Sequence, residues 1–479
     1  MSAEWTLTKE PLRARTARAT EDERLRTSLE KAIARFGAGR SAAFATLESP
    51  EALRTAARRM RHDILSDLPR IVERFAEQAR AAGAHVHWAL DADDANAYVS
   101  GIADRLIAER RARGQNGPLG VVKGKSMATE EIGLNRILEA RGCEVVETDL
   151  GEWIIQLAGH TPSHIIAPAV HLDRFQIREI LQRVASPEDG EIPTDPELMA
   201  KFARKMLRAR FLGAELGITG CNMAVAETGS VVLVENEGNG RLSSTVPRVH
   251  VAVMGTERIV ESWDQADLVL NLLARSTSGQ HLSSYTNIVT GPRRDGEADG
   301  PDEVHIVILD NGRSELLGTE FEEALNCIRC GACLNVCPVY RQVGGHAYGW
   351  VYSGPIGAVL TPLLAAEHAE AAEVANASSL CGACMDACPV QIPLQDLLLG
   401  LRRRKAADAA TAEKAAWRAW STAWSRPLTY RASIRAMQTG RGMTRLAAMA
   451  PGLKNWSGGR DTLKPAARTF TQMWKAGEV

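Results

Sequence analysis

The spacing of seven cysteines constrains this chain more than any other feature of its sequence. The first four follow the pattern C-x2-C-x2-C-x3-C, with a proline immediately after them: Cys327, Cys330, Cys333, Cys337 and Pro338. Two residues between successive cysteines let three thiols face one centre if the chain turns tightly around it. Gly331 and Ala332 leave such a turn uncrowded, and Pro338 ends the local helix.

The same pattern recurs further along the chain with one cysteine missing. The last three cysteines and the proline are present as Cys381, Cys384, Cys388 and Pro389. Ser378 occupies the position that corresponds to the first cysteine. The second copy is therefore one thiol short.

This spacing, closed by Cys-Pro, is that of bacterial ferredoxins, in which the fourth cysteine of each run binds the other cluster. The sequence therefore predicts two [4Fe–4S] clusters held by two sets of thiols. The first set is Cys327, Cys330, Cys333 and Cys388, and the second is Cys337, Cys381 and Cys384. The last iron of the second cluster is left to Ser378, to water, to a partner residue or to no ligand, which would give a three-iron cluster.

Other uses of these cysteines fit less well. Zinc prefers four ligands in a closed tetrahedron, usually from two CxxC pairs, whereas seven cysteines lie here in two runs ending in Cys-Pro. Disulfides are rare in a cytoplasmic chain. Cys143 and Cys221 lie apart, each at or inside a strand-like run. We expect both to be structural, because free cysteine is commonly buried, with cluster ligation as the alternative.

Composition limits where the protein works. The chain has 479 residues, 24% of them charged and 45% hydrophobic, with a net charge of −1, which is typical of a globular protein. Its N-terminus lacks the apolar stretch of a signal peptide. The longest apolar run, Gly357–Ala366, is too short for a membrane span. We expect a cytoplasmic protein, with a peripheral position at the inner face of the membrane as the alternative.

The sequence pattern predicts four regions. Residues 1–66 form a helical segment without a chemical motif. In residues 67–318 short apolar runs alternate with amphipathic stretches, which indicates an α/β domain with a largely parallel sheet. Residues 319–400 contain the cysteine motifs. Residues 401–479 hold sixteen Lys or Arg against four Asp or Glu, together with five tryptophans. Such a tail is either a contact surface or a set of solvated basic helices.

Three places in the α/β region are candidate sites. Lys123, Lys125 and Ser126 lie between a strand and a helix and suit an anion, although a plain loop capped by Ser126 is the favoured interpretation. Glu227, at a tight turn, is either a base or nucleophile or an exposed turn residue. Arg241 follows Asn-Gly turns that suit a carboxylate or phosphate, and a plain hairpin turn is favoured there.

Familiar cofactor motifs are missing from the same region. No GxGxxG opens a strand–helix unit, and no Walker lysine motif is present. His160, His164 and His171 form no HExxH pattern, so we interpret them as structural or as lining a pocket.

Three stretches, 123–139, 226–241 and 327–340, together resemble the lactate utilisation protein B family. That family is the iron–sulfur subunit of a three-part bacterial system for L-lactate oxidation. The gapped second cysteine motif and the basic C-terminal extension are also similar to those of the family. The resemblance covers nearly the whole chain.

The resemblance implies a fold and a set of partners. The α/β part would be a lactate-utilisation (LUD) domain, similar to sugar-phosphate isomerases and CoA transferases. An α-helical ferredoxin-type domain with two clusters and a helical basic extension would follow it. The seven motif cysteines would be the cluster ligands, and the gap at Ser378 would be the family's own pattern. The partners would be a protein with cysteine-rich repeats and a second LUD-domain protein.

The implied role is an electron-transfer subunit of an L-lactate dehydrogenase-type complex rather than a stand-alone enzyme. Electrons from lactate would pass through the two clusters to a quinone or another carrier. One alternative is an isomerase- or transferase-like enzyme with structural or sensory clusters, which would use Glu227 and Arg241. Another is a redox-sensing regulator, supported only by the basic tail, and we expect no nucleic acid partner.

Overall fold

The computed structural model describes residues 7–408, 410–439 and 466–478. Strands and helices alternate through the region for which the sequence predicts an α/β domain. The strands are β1 (His85–Ala89), β2 (Leu119–Lys123), β3 (Cys143–Glu147), β4 (Leu216–Thr219), β5 (Met223–Val225), β6 (Ser230–Glu235), β7 (Val249–Gly255), β8 (Ile259–Val260), β9 (Tyr285–Val289) and β10 (Glu303–Leu309).

Helices precede, cover and follow these strands. They are α1 (Leu12–Glu21), α2 (Glu23–Ala45), α3 (Pro50–Ser66), α4 (Leu68–Ala81), α5 (Ala92–Ala112), α6 (Met127–Glu131), α7 (Leu134–Glu139), α8 (Leu150–Ala158), α9 (Arg174–Gln182), α10 (Pro196–Gly213), α11 (Asn239–Thr245), α12 (Trp263–Thr277), α13 (Ala332–Val336), α14 (Pro338–Val343), α15 (Gly354–Leu364), α16 (Ala371–Val374), α17 (Ala383–Ala387), α18 (Leu394–Ala407), α19 (Thr411–Ser425), α20 (Pro427–Thr439) and α21 (Phe470–Lys475).

Six strands form a parallel sheet in the spatial order β1-β10-β7-β4-β2-β3. Its inner strands are apolar and buried, as a sheet covered by helices on both faces requires. From β2 the chain moves outward to β3, but from β4 it returns through β7 to β10. The direction therefore reverses between β2 and β4, and ligands of open α/β sheets bind outside the carboxyl ends of the strands at such a reversal.

Four further strands, which lie in sequence between β4 and β10, form a smaller sheet with the order β8-β5-β6-β9. Its buried residues share one hydrophobic core with helices α2 to α4 and with the cysteine-bearing helices. The N-terminal helices are therefore part of the packing around the cysteine motifs. The described residues up to Arg402 form one compact unit, and those from Arg403 onward form another.

One local prediction from the sequence was wrong. The run at Glu235–Arg241 is not a hairpin turn, because β6 leads into helix α11 through Gly238, whose φ of 81° lies in the left-handed region. The strand-like run at Gly217 ends at Thr219, so Cys221 lies in the following loop. Cys143 lies within β3 and is buried.

The tail is helical where it is described. Trp417, Trp420 and Trp424 lie on α19 and are exposed. Trp420 stacks on Trp424 and meets Trp417 edge to face, with ring centroids 5.8 Å apart in both pairs. Trp456 lies outside the described residues. Among the helices that the structure describes, none combines the length and apolar character needed to cross a bilayer.

A close backbone approach makes Gly217 a sensitive point of the central sheet. A Cβ atom there would lie 1.8 Å from the carbonyl oxygen of Ser243. Gly217 lies in β4, which has β7 on one side and β2 on the other. We expect Gly217→Ala to destabilise the chain by about 1–3 kcal/mol, because overpacking must move the backbone. Thermal unfolding of the purified protein measures this effect.

The matched control is Gly101→Ala. Gly101 is exposed on α5, and a Cβ atom there meets nothing within 4 Å. Alanine favours a helix over glycine by about 1 kcal/mol. Equal unfolding midpoints for the two variants would contradict the role given to Gly217.

Candidate metal centres

The two cysteine motifs have the same backbone geometry. In the first, Arg329 and Gly331 have positive φ values of 58° and 78°, and α13 begins directly afterwards. In the second, Leu380 and Gly382 have φ values of 55° and 86°, and α17 follows. Each motif therefore turns through the left-handed region twice before a short helix, and helices α13 and α17 pack against each other.

Ser378 occupies the place in the second motif that Cys327 occupies in the first. The Cys327 sulfur accepts a hydrogen bond from the backbone N–H of Arg329 at 3.4 Å. The Ser378 hydroxyl accepts one from the backbone N–H of Leu380 at 3.1 Å. The repeat thus extends to the residue that interrupts the cysteine pattern.

One group of four thiols lines a single cavity. Its lining includes cysteines of both motifs, namely Cys327, Cys330, Cys333 and Cys388. The rest of the wall is mostly apolar and includes Ile328, Ile356, Val390 and Leu394. Three of the four cysteines are buried, and Cys327 is partly exposed.

The other three motif cysteines form a second group. Burial raises the pKa of Cys384 to about 12, and the neighbouring thiols of Cys337 and Cys381 add to this rise. Cys337 and Cys384 are buried, but Cys381 is exposed. The second group therefore lies closer to solvent than the first.

The first group has the donor chemistry of a metal or cluster site. All nine cysteines are free thiols. Burial raises the pKa of Cys388 to about 11 and also raises those of Cys330 and Cys333, and neighbouring thiolates add to the effect. Thiols gathered in this way ionise when a cation binds them. The backbone N–H of Ile392 points at the Cys388 sulfur at 3.3 Å, as N–H groups do around clusters.

Arginines from distant parts of the chain hold the carbonyl groups of the motifs. Arg54 on α3 donates to the carbonyl of Cys388 at 2.8 Å and to that of Asp386 at 2.7 Å. Arg40 on α2 donates to Ala387, and Arg258, after β7, donates to Cys327 at 3.0 Å. The sequence indicates no role for α2 and α3, because no local pattern marks an arginine whose partner lies more than three hundred residues away.

A larger cavity, of about 300 Å³, lies at the carboxyl edge of the parallel sheet. Its lining includes Gly124, Gly220 and Gly255, which follow or end the neighbouring strands β2, β4 and β7. It therefore opens where the strand order reverses. Arg329, between two motif cysteines, also lines it, so this cavity reaches the first cysteine motif.

The candidate anion loop after β2 has a different role for each of its residues. Lys123 is fully buried, with its Nζ 2.9 Å from a carboxylate oxygen of Glu147. Ser126 caps α6 through Thr129, as the sequence predicts. Lys125 lines the large cavity and has its Nζ 3.9 Å from Glu152. Buried carboxylates of β3 and α8 thus lie beside this loop, and Lys123 is not open to an anion.

The other two candidates lie outside the large cavity. Glu235 accepts from the backbone N–H groups of Gly240 and Arg241, so the chain's own carboxylate occupies the N-terminus of α11. Arg241 and Glu227 are exposed. Glu227 accepts from the backbone N–H of Trp263 at 3.2 Å, at the start of α12. The structure therefore does not bring Glu227 and Arg241 into the cavity.

The histidines separate into two places. His164 is buried and its Nε2 lies 3.1 Å from the side-chain oxygen of Asn335, within the first motif helix. His160 and His171 contact each other at 3.1 Å, and His346 packs against His171. None of them lines the large cavity. Cys221 does line the large cavity, although the sequence around this residue favours a structural role.

Sequence profiles divide the chain into three matched regions. Residues 72–309 match the LUD domain, residues 323–392 the 4Fe-4S dicluster domain, and residues 400–479 the lactate utilisation protein B C-terminal domain. Fold and motifs together define an iron–sulfur protein that joins a LUD domain to a dicluster ferredoxin-type domain.

Curated relatives match over almost the whole chain. Lactate utilization protein B of Shouchella clausii is 44% identical over 97% of this chain and 97% of its own length. That of Bacillus subtilis is 44% identical over 95% of this chain and 94% of its own length. The chain belongs to the lactate utilisation protein B family.

One solved structure is also similar. A DUF162 family protein from Deinococcus radiodurans is 13% identical, and the match covers 50% of this chain and 98% of that protein, with a TM-score of 0.25. A TM-score this low adds nothing to the description of the site.

The buried carboxylates near Lys123 predict a pH dependence. Burial raises the pKa of Glu130 to about 7, and the charge of Lys123 opposes the rise only in part. A carboxyl group whose folded pKa is raised stabilises the fold fully below its unfolded pKa, and that stability is lost as the pH rises through the folded pKa. We therefore expect the wild-type protein to lose stability between about pH 5 and about pH 8, and Glu130→Gln to lose less.

Thermal unfolding at several pH values measures this difference. The control is Glu197→Gln, which removes an exposed carboxylate of α10. If Glu130→Gln and Glu197→Gln show the same pH dependence as the wild type, Glu130 is not the titrating group.

Proposed function

We propose that this protein is the iron–sulfur electron-transfer subunit of a multi-protein system for L-lactate oxidation. The observation that carries the proposal is the convergence of cysteines from two motifs on one cavity. Iron–sulfur clusters exchange single electrons, and their thiolate ligands, hydrogen bonds and exposure set the potential. Relatives over nearly the whole chain are named for lactate utilisation, which supplies the substrate class.

Two [4Fe–4S] clusters with ligands exchanged between the motifs fit the grouping of the thiols. The first cluster would be held by Cys327, Cys330, Cys333 and Cys388, and the second by Cys337, Cys381 and Cys384. The packing of α13 on α17 supports this exchange, because the last cysteine of each motif follows its helix.

Ser378 is our candidate for the fourth ligand of the second cluster. Its support is the repeat, since its hydroxyl makes the hydrogen bond that the Cys327 sulfur makes in the first motif. Oxygen is a weaker ligand than a thiolate for this type of cluster. An iron held in this way is open to exchange with water or with a group from a partner.

The exposure of the two thiol groups suggests a direction for electrons. The first group lies in an apolar wall, whereas Cys381 of the second is exposed. An exposed centre is the natural point of exchange with another protein or a soluble carrier. The partners we propose are a protein with cysteine-rich repeats and a second LUD-domain protein, with a quinone or another carrier as the final acceptor.

Paired cysteine substitutions test the exchange of ligands. If Cys327 and Cys388 bind one cluster, the double variant Cys327→Ser/Cys388→Ser keeps the other, and iron falls from about eight to about four per chain. Cys327→Ser/Cys337→Ser then disturbs both clusters and retains much less iron. Iron and sulfide analysis of anaerobically purified protein measures the cluster content of both variants. If Cys327→Ser/Cys337→Ser retains more iron than Cys327→Ser/Cys388→Ser, each motif binds its own cluster.

The role in lactate oxidation has its own test. The full chain, with its clusters, is mixed anaerobically with the two partner proteins and L-lactate, and cluster reduction is followed by electron paramagnetic resonance. We expect a reduced-cluster signal that requires both lactate and the partners, because this chain shows no flavin fingerprint. D-lactate serves as the stereochemical control. A signal that stays absent with intact clusters would refute the role.

A further inference from the structure

The cavity at the carboxyl edge of the parallel sheet has a basic end next to the first cysteine motif. Arg258, Arg313 and Arg329 line that end, and Glu257 lines it with them. The cavity of about 300 Å³ has the size of a site for a small molecule. We propose that it binds a small organic carboxylate, with the carboxylate held by Arg258 and Arg329.

The charges at the basic end do not balance. Arg313 binds both oxygens of Glu131, at 2.9 and 2.8 Å, and lies 2.8 Å from Glu257. Arg329 lies 3.2 Å from the other oxygen of Glu257. Two carboxylates thus offset two of the three guanidinium groups.

Arg258 is the remaining cation. Its partners are the carbonyl oxygens of Cys327 and Asn222, which carry no full charge. A ligand carboxylate would bring a full negative charge to this half-buried cation.

Arg329 provides an unused donor at the same place. Its Nη1 is buried and makes no hydrogen bond, although Nη2 binds Glu257 and the guanidinium lies 4.7 Å from the ring centre of Tyr352. A buried donor without a partner destabilises the fold, and a carboxylate oxygen would satisfy it. A planar guanidinium also suits the planar carboxylate group.

Arg258 and Arg329 also lie beside the first thiol group. Arg258 donates to the carbonyl oxygen of Cys327, and Arg329 follows Cys327 by two residues. A cluster held by these thiols would therefore share the two cations with a carboxylate in the cavity, so binding is measured on the protein with its clusters.

The remainder of the wall combines apolar side chains with further charged groups, namely Lys125, Asp149, Glu235 and Glu237. Leu233, Val253, Met254 and Ile165 supply an apolar surface, and Ser126 and Asn222 supply polar groups. Two loops meet there closely, since a Cβ atom on Gly220 would lie 2.9 Å from the Ser126 hydroxyl. The site is thus placed by the reversal of strand order, where α/β sheets bind ligands.

Calorimetric titration of the anaerobically purified full chain, with its clusters, tests the proposal. The probes are L-lactate, pyruvate, the neutral analogue lactamide and inorganic phosphate; choosing the first two rests on the proposed function. We expect both carboxylates to bind at least about tenfold more tightly than lactamide or phosphate. The proposal would be overturned if neither L-lactate nor pyruvate binds, or if phosphate or lactamide binds as tightly as they do.

Substitutions locate the binding. Arg258→Gln and Arg329→Gln should each weaken carboxylate binding by about ten- to a hundredfold, because a charged hydrogen bond is lost. The matched control, Arg58→Gln, removes a half-exposed guanidinium that pairs with Glu323, and should bind as the wild type does. Unchanged binding in both cavity variants would refute the assignment.

A filling substitution keeps the test valid if the arginine variants lose iron. Gly124 lines the cavity, and an added Cβ atom there would have no neighbour nearer than 3.8 Å. Gly124→Leu should therefore abolish carboxylate binding at unchanged iron content, and full binding would contradict the proposal. Binding without cluster reduction by lactate would refute only the electron-transfer role, and reduction without binding would refute only this site.

Discussion

A buried chain of ion pairs joins the parallel sheet to the first cysteine motif. Glu131, near the end of α6, binds Arg313, which follows β10, and Arg313 shares Glu257 with Arg329 of the motif. The side chains of the first three are almost completely removed from solvent. Removing one member of such a set would leave an unpaired buried charge, at a cost of about 3–5 kcal/mol. The relative position of sheet and motif therefore depends on this chain remaining complete.

The N-terminal helices, the small sheet and the motif helices share one hydrophobic core. The cysteine loops alone have short helices and strained turns, so they need support from elsewhere. Arg40, Arg54 and Arg258 satisfy carbonyl groups within the loops. Buried carbonyls without such partners would be costly. The first thiol group is thus shaped by parts of the chain that carry no cysteine motif.

The same arrangement places two kinds of chemistry side by side. The thiol groups are divided between a buried apolar wall and a more exposed position, which suits electron exchange between an inner and an outer centre. The cavity of the sheet ends at Arg329, between two cysteines of the first motif. A molecule bound there would lie close to the inner thiol group. Its charge would then influence the potential of a cluster held by those thiols.

The sequence by itself determined the local features. Cysteine spacing marked both motifs and the gap at Ser378, and alternating apolar runs marked strands such as β1, β2, β3 and β10. These features depend on residues close in sequence, so a pattern reveals them. The capping role of Ser126 is of the same kind.

Only the tertiary structure decided which of the marked residues meet. Lys123 looks like an anion ligand in sequence, but β2 directs it into the interior toward Glu147. Arg241 follows a Gly-rich turn, but Glu235 already takes the N–H groups there. Arg258 and Arg329 have no local signal, because their importance comes from burial and from partners distant in the chain. Burial and charge balance are properties of the folded molecule, and a linear pattern does not contain them.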